Sequence, residues 1–506
     1  MNTPVTRRQF LATAAVTSSF SLVPRHVLGG AGQVAPNDKI TLAHIGMGTQ
    51  GFSELGGLLE NPQIQIVAVC DPNRDSQDYI EWGKHSIRDR IRTYLGQPNW
   101  RAGIDGCPGG REVGREVVNT WYANHGRAGQ FQGCTAYADF RELLAQEKDL
   151  DAVKIMTPDH LHATIAVAAM KRGQHVLMHK PIANRLAEGR LVLETARTTG
   201  LATHLLAYGS GSENARIVEH ILQDAIGPLR EIHNWSNRPV WPQYHEIPRD
   251  QPPVPPGFDW DLWLGPATFR PYHPHYTHTV FRGWYDFGGG SMADMGIYSL
   301  WPVFTGLGLE APLSAEAWAT HACTIENNVS RPIPNDFSYP DACTLRFRFA
   351  ASAARPALDL FWYDGGMQPR LPEPLEALDV RLPIEGILFV GAEGLILAGF
   401  TGQDPRLFRQ GKSEPLWGSD AASPGNARPR AGRSERSNPW VDAIRGGDPS
   451  PGSFLNAGPI TDAVNLGTVA LRTRRKVLFD SAALRITNVP EANRYLVREY
   501  RDGWRL

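Results

Sequence analysis

Cysteine is scarce in this chain, with five among 506 residues, at Cys70, Cys107, Cys134, Cys323 and Cys343. None belongs to a Cys-x-x-Cys pair, so neither a disulfide scaffold nor a thiolate metal cluster is suggested. Net charge is nearly absent too: Lys plus Arg total 51 and Asp plus Glu total 52, a formal charge of −1. That balance implies no polyanion partner, and no nucleic-acid contact is expected. No run beyond the N-terminal segment reaches the roughly 18 apolar residues of a membrane-spanning helix. Aromatic residues and proline are plentiful, with 14 tryptophans and 39 prolines. Aromatic faces suit sugar rings, although most tryptophans in any fold are packing residues. A chain this long exceeds one ordinary core, so two domains are expected.

Residues 1–37 stand apart from the fold. Thr6-Arg7-Arg8-Gln9-Phe10-Leu11 precedes a mildly apolar, Ala/Ser/Thr-rich segment ending near Val23. This is the pattern of a twin-arginine export signal. Such signals carry proteins already folded around a cofactor. The expectation is a soluble, exported protein of the periplasm, with the Tat export machinery as a partner.

The most informative stretch follows. Ile40 to Ile45 reads as a buried strand and runs into Gly46-Met47-Gly48-Thr49-Gln50-Gly51. An amphipathic segment, Phe52 to Glu60, comes next. A second apolar run, Ile64 to Cys70, ends at Asp71, 20 residues past Gly51. Strand, Gly-x-Gly-x-x-Gly, helix, strand and acid is the order of a dinucleotide site. Gly46 permits the tight turn, Gly48 lets a pyrophosphate approach the backbone, and Gly51 allows helix and strand to pack closely. The helix N-terminus offers N–H groups and partial positive charge to phosphates. Asp71 can accept both ribose hydroxyls and would repel a 2′-phosphate, so NAD is expected rather than NADP.

After Asp71, residues 76–133 are longer than a minimal connection and read as an insertion, helical between Gly110 and Asn124. Strands then recur at Thr135–Tyr137, Asp151–Met156, Gln174–Met178 and Leu201–Ala207, each separated by a helical pattern. Repeated βα steps argue a doubly wound parallel sheet over 38–207, with ligands at the C-terminal strand ends. Thr157, Pro158, His160, Lys180 and Pro181 fall at such ends and join the expected cofactor contacts.

The stretches AHIGMGTQG, VAVCDPN and TPDHLHATIAVAAMKRGQHVLMHKP together resemble the glucose–fructose oxidoreductase / inositol dehydrogenase (Gfo/Idh/MocA) family, over roughly residues 38–480. The resemblance implies an α/β Rossmann domain followed by an α+β domain with a large open, mainly antiparallel sheet. The family's Glu-Lys-Pro motif stands here as His179-Lys180-Pro181. Its Gly-Gly-Gly-x-x-x-Asp-x-Gly-x-His motif stands as Gly288 to Tyr298, with Asp294 at the acid and Tyr298 at the histidine.

The second domain is expected over 208–480, with a polar loop at 403–437 and a tail at 481–506. Alternating strands are read at Leu229–Asn237, Cys343–Phe349, Leu358–Tyr363, Ile387–Val390, Leu395–Ala398 and Val477–Asp480, with a helix at Thr461–Arg472. The histidine-dense run Tyr272 to His278 has no carboxylate at matching spacing, so it is read as a pocket-lining loop and no metal is assigned. His275, Arg282, Trp284 and Tyr285 are the substrate contacts expected from it.

Hydride transfer needs a carbinol carbon held near the nicotinamide and a group to accept the hydroxyl proton. Lys180, Asp294 and Tyr298 are the expected catalytic residues and also substrate contacts. Lys180 would orient the hydroxyl, Asp294 would hold Lys180 or the substrate, and Tyr298 would relay the proton. The plainer alternative for Tyr298 is a core aromatic with its hydroxyl satisfied. The resemblance implies an NAD-dependent oxidoreductase acting on a sugar, polyol or glycoside, and export to a compartment poor in free NAD implies a tightly bound cofactor. Two alternatives remain open here: an NAD-dependent glycosidase using transient oxidation and elimination, and a non-catalytic sugar-binding family member. A large open sheet leaves an apolar face to cover, so a homodimer or homotetramer is expected.

Overall fold

The computed structural model describes residues 38–125, 131–207, 212–417 and 438–506. The twin-arginine reading of residues 1–37 lies outside them, as does most of the loop read at 403–437.

The apolar runs of the first half become a six-stranded parallel sheet. Its order is Thr135–Tyr137, Ile64–Cys70, Ile40–Ile45, Ala152–Ile155, His175–Met178 and Thr203–Leu205. The chain starts in the centre, moves to one side, then crosses back. That reversal beside Ile40–Ile45 leaves a crevice at the C-terminal strand ends, where doubly wound sheets bind ligands. Ile40–Ile45 is buried along nearly its whole length because helices cover both sheet faces.

The insertion is ordered throughout its described part. Arg111–Asn124 is a helix, as its pattern suggests. Tyr122 on it accepts a hydrogen bond from the Ile66 amide at 3.0 Å, which docks it on the sheet. The structure adds a helix at Ser86–Leu95 and a short strand pair, Ser76–Tyr79 with Cys107–Gly109. That pair lies directly over the glycine turn: the Gly110 amide donates to Met47 O at 2.8 Å.

The second half forms a ten-stranded sheet centred on Leu229–Trp235. Most pairs are antiparallel; Leu229–Trp235 runs parallel to Leu358–Tyr363. Cys343–Phe349 alternates as read, with Cys343, Leu345, Phe347 and Phe349 all buried. The helix Gly458–Thr473 covers this face. Gly467 permits the close approach, since a Cβ there would stand 2.8 Å from Leu345 Cδ1.

Two readings are corrected. The 403–437 stretch is not loop from its start: Arg406–Arg409 and Lys412–Pro415 pair as a hairpin and extend the sheet edge. The 481–506 segment is not a loose tail. Arg498 Nε donates to Glu188 at 2.7 Å and its Nη1 to Asp286 O at 3.1 Å, tying the first domain to the second. Trp504 packs on Phe140 beneath the Arg141 guanidinium. Their polar sequence hides this, because the anchoring groups are arginines whose partners are remote in the chain. Among the described residues, no helix is long and apolar enough to cross a membrane.

Candidate active site

The glycine turn follows Ile40–Ile45 and opens the helix Thr49–Leu59. Gly46 has φ of +101°, and a Cβ there would lie 2.5 Å from Met156 O. A Cβ at Gly51 would lie 2.3 Å from Gly46 O. Both positions therefore exclude any side chain. Gly48 is the N-cap and provides no side-chain cap, which leaves the first-turn amides for an anion. Asp71 accepts the Met47 amide at 2.7 Å and the Asn73 amide at 2.8 Å. Burial raises the Asp71 carboxyl pKa, while these two amides act the other way.

These residues form one wall of a cleft of about 940 Å³, its open mouth included. Gly46, Gly48, Thr49, Gln50 and Asp71 line it, with Thr157 and Pro158 at the end of Ala152–Ile155. The second domain supplies the facing wall through Phe258, Trp263, His278, Phe281 and Arg282. A turn that excludes side chains, an uncapped helix start and a buried acid together fit a dinucleotide.

The insertion closes over this cleft. A Cβ on Gly48 would meet the Tyr79 ring at 2.8 Å, so this glycine seats Tyr79 as well as serving the turn. The Tyr79 ring lies 4.2 Å from the His278 ring of the second domain, and its hydroxyl reaches Asp71 at 3.4 Å. Asp78 pairs with His278 at 3.4 Å, and Thr49 Oγ1 donates to Ile80 O at 2.7 Å. Tyr79 and His278 thus form a clasp between the two domains.

The reactive end lies where Lys180 leaves the strand His175–Met178. Lys180 Nζ donates to Asp294 Oδ1 at 2.7 Å. Asp294 sits on a π-helical turn, Met292–Gly296, a local widening often found at functional sites. Arg282 Nε donates to the same oxygen at 2.9 Å, and Arg238 Nε lies 3.7 Å from the other. Burial would raise the Asp294 pKa, but Lys180, Arg282 and Arg238 together hold it well below the usual carboxylate range. Burial lowers the Lys180 pKa; Asp294 opposes that shift and Arg282 adds to it.

Tyr298 follows Asp294 by about one helical turn. Its hydroxyl lies 3.2 Å from His179 Nε2, and its ring centroid 5.2 Å from Lys180 Nζ. Burial raises the Tyr298 pKa, and Asp294 and Glu54 raise it further, so the phenol is protonated at neutral pH. Burial lowers the His179 pKa well below its ordinary value, and Lys180 lowers it further, so the imidazole is neutral. Glu54, on the helix that starts at the glycine turn, stands 3.5 Å from the same His179 nitrogen. His179 and Arg282 line the cleft, and Lys180, Asp294 and Tyr298 adjoin them.

Several expected contacts lie elsewhere. His160 is fully buried; its Nε2 is 2.9 Å from Trp263 O and its Nδ1 3.3 Å from Phe287 O, so it pins the domains together. Trp284 is fully buried and donates to His275 O at 2.7 Å. His275 stacks on Tyr244 at 3.9 Å, away from the cleft. Tyr285 packs on Tyr339. The Met47 side chain turns into the core against Gly114, and Pro181 O meets His162 Nδ1 at 2.6 Å. His275, Trp284 and Tyr285 sit in an aromatic-rich run, and sequence cannot tell the packed face of such a run from the open one. His179, Glu54, Arg238 and Tyr79 were not expected at the site. The only sequence sign was the histidine in His179-Lys180-Pro181.

Residues 93–206 match the description "Oxidoreductase family, NAD-binding Rossmann fold", and residues 230–347 match "Oxidoreductase family, C-terminal alpha/beta domain". Residues 93–206 and 230–347 are therefore similar to the two domains of the Gfo/Idh/MocA oxidoreductase family, the first of which is described as NAD-binding. Among curated relatives, the chain is 28% identical over 139 residues to levoglucosan dehydrogenase of Pseudarthrobacter phenanthrenivorans, covering 26% of this chain and 35% of that protein. It is 23% identical over 226 residues to a glycosyl hydrolase family 109 protein of Shewanella putrefaciens, covering 43% of this chain and 41% of that one. The chain thus spans between a third and about two fifths of these relatives' length. Among solved structures, the WlbA dehydrogenase of Chromobacterium violaceum, in complex with NADH and UDP-GlcNAcA, superposes with a TM-score of 0.51 at 14% identity, covering 88% of this chain and 96% of that one. That likeness shows the fold.

Proposed function

We propose that this protein is an NAD-dependent oxidoreductase acting on a hydroxyl of a sugar, polyol or glycoside. The observation that carries the reading is the cleft itself. A dinucleotide-shaped turn forms one wall, and the Lys180–Asp294 pair stands beside the Tyr298–His179 pair at its reactive end.

Bound NAD supplies the hydride acceptor. Lys180, kept in place by Asp294, donates a hydrogen bond to the substrate oxygen and orients the carbinol. The Tyr298 oxygen takes the substrate's hydroxyl proton while its own proton passes to His179 Nε2. A protonated phenol is no base alone, and its hydrogen-bond partner is the neutral His179 imidazole; because burial and Lys180 disfavour the imidazolium, His179 carries the proton only in transit. Glu54 is placed to take the proton onward. Arg282 and the cleft aromatics hold the rest of the substrate and keep water away.

The test is a panel of sugars, polyols and glycosides, with reduction of the bound nicotinamide as readout. Lys180→Met is expected to keep NAD and lose turnover. Equal turnover in that variant rejects the lysine role, and no reduction by any member of the panel rejects the reading.

A second reading is an NAD-dependent glycosidase, in which the sugar is oxidised, eliminated, hydrated and reduced again. The Tyr79–His278 clasp favours a resident cofactor, which a cycle without net redox needs. Aglycone release without accumulation of reduced nicotinamide separates it from the first.

The chain is further proposed to be exported by the twin-arginine route to the periplasm and to form a homodimer or homotetramer through its open sheet. Cell fractionation and the mass measured in solution test these points. Full-length protein in the cytoplasm, or a monomer, rejects the respective proposal.

A further inference from the structure

We infer that the substrate carries an anionic group, the carboxylate of a sugar acid, held beside Asp294 by Arg282 and Arg238. This rests on the sugar-oxidoreductase reading and names its substrate class.

Charge is the first argument. Three cations, Lys180, Arg282 and Arg238, surround the Asp294 carboxylate. One further carboxylate, Asp159, faces Lys180 and Arg282, and its Oδ2 accepts the Gly289 amide at 2.9 Å. The neighbouring Lys154 and Glu54 pair with each other at 3.3 Å and cancel. Among the described residues, the side chains of the site proper therefore place three cations against two carboxylates. An excess positive charge in a poorly hydrated site is costly until an anion offsets it.

Hydrogen bonding is the second. Lys180 and Arg282 both use Asp294 Oδ1. Arg238 Nε is 3.7 Å from Oδ2, too far for a hydrogen bond, and that nitrogen is buried with no partner, while Nη1 donates to Asn237 Oδ1 at 2.9 Å. The Arg238 side chain keeps 22% of its surface exposed, so its guanidinium is within reach of a ligand. Trp241 Nε1, on the same loop, is also a buried donor without a partner, and the Trp241 ring lies 5.9 Å from the Arg282 guanidinium. Two unpaired donors on one loop, beside Arg282, suit an acceptor such as a carboxylate.

A planar carboxylate matches the guanidinium fork, which can bind it through two parallel hydrogen bonds. The excess is a single positive charge, which favours a singly charged carboxylate over a doubly charged phosphate.

The test uses the full chain purified with its bound NAD and matched probes: glucose with glucuronate, galactose with galacturonate, and glucose 6-phosphate. Calorimetry gives each Kd, and reduction of bound nicotinamide gives turnover. The acid is expected to bind roughly tenfold or more tightly than its neutral counterpart, with a preference that shrinks as salt rises. Arg238→Gln should lower the acid-to-neutral preference roughly tenfold and Arg238→Lys less, with NAD content reporting that both variants fold. Equal or tighter binding of the neutral sugar overturns the inference, as does tighter binding of the phosphate or an undiminished preference in Arg238→Gln. Oxidation of neutral sugars alone overturns this inference and leaves the function standing. Binding of no probe overturns both.

Discussion

The Tyr298 hydroxyl and His179 Nε2 lie 3.2 Å apart, joining side chains 119 positions apart in the chain. Each stands where the family resemblance implies a different residue, a histidine at 298 and an acid at 179. The two departures therefore meet in space, and the imidazole absent from one position is supplied from the other. Tyr298→Phe and His179→Gln are each expected to lower kcat by roughly a hundredfold or more, with NAD retained. The double variant should be little worse than either single one, because the two act as one unit. Independent, additive losses in a double-mutant cycle argue against the relay.

The clasp over the glycine turn predicts slow cofactor exchange. Tyr79→Ala removes both the ring against His278 and the hydroxyl at Asp71. An aromatic pair contributes about 1 kcal/mol, so release of NAD should quicken by up to roughly tenfold. Dilution into excess labelled NAD, followed by mass spectrometry, measures this. An unchanged release rate means the insertion does not retain the cofactor.

His160 sets an acid limit on stability. Burial holds its pKa at about 3, and the Arg498 charge also lowers it. An unfolded histidine titrates near 6.5. A depressed folded value stabilises the protein fully above the unfolded pKa, and the contribution is lost as pH falls toward the folded one. Stability should therefore decline between about pH 6.5 and 3, by at most about 1.4 kcal/mol per pH unit from this group. Thermal unfolding of His160→Gln across that range should show a shallower decline than the parent. Parallel curves contradict the assignment.

The C-terminal segment is structural. Arg498 and Glu188 are 9% and 2% exposed and hydrogen-bonded at 2.7 Å. Arg498→Met leaves Glu188 buried without its cation, with an expected loss of about 3–5 kcal/mol. Denaturant unfolding measures it. A loss no larger than that of an exposed pair means the segment is dispensable.

Much of this architecture is legible in the sequence, for physical reasons. Ile40–Ile45 and Ile64–Cys70 announce themselves because a parallel strand buried on both faces must be apolar throughout. Cys343–Phe349 does so by alternating. Lys180 could be placed because strand ends of a doubly wound sheet face its ligands, and Asp294 because it stands at the acid of the motif that the family resemblance implies. The pairing of His179 with Tyr298 could not, since no local pattern records which side chains meet across a cleft. The same holds for Tyr79, whose role depends on an insertion folding back on the turn. Trp284 and Tyr285 mislead because an aromatic run packs one face inward, and His160 because a strand-end residue can face the other domain as readily as the cleft.

The central claim is that a cofactor gripped at Gly46–Gly51 takes hydride from a sugar hydroxyl carbon held by Lys180. Deuterium transfer tests it most directly. The full-length protein is mixed with sugars and sugar acids deuterated at the ring carbons, and the nucleotide it releases is weighed by mass spectrometry. The account predicts NAD in the purified protein, deuterium on its nicotinamide after mixing, and none in Lys180→Met although that variant still carries NAD. Absence of nucleotide, absence of label with every sugar, or equal labelling in Lys180→Met would contradict it.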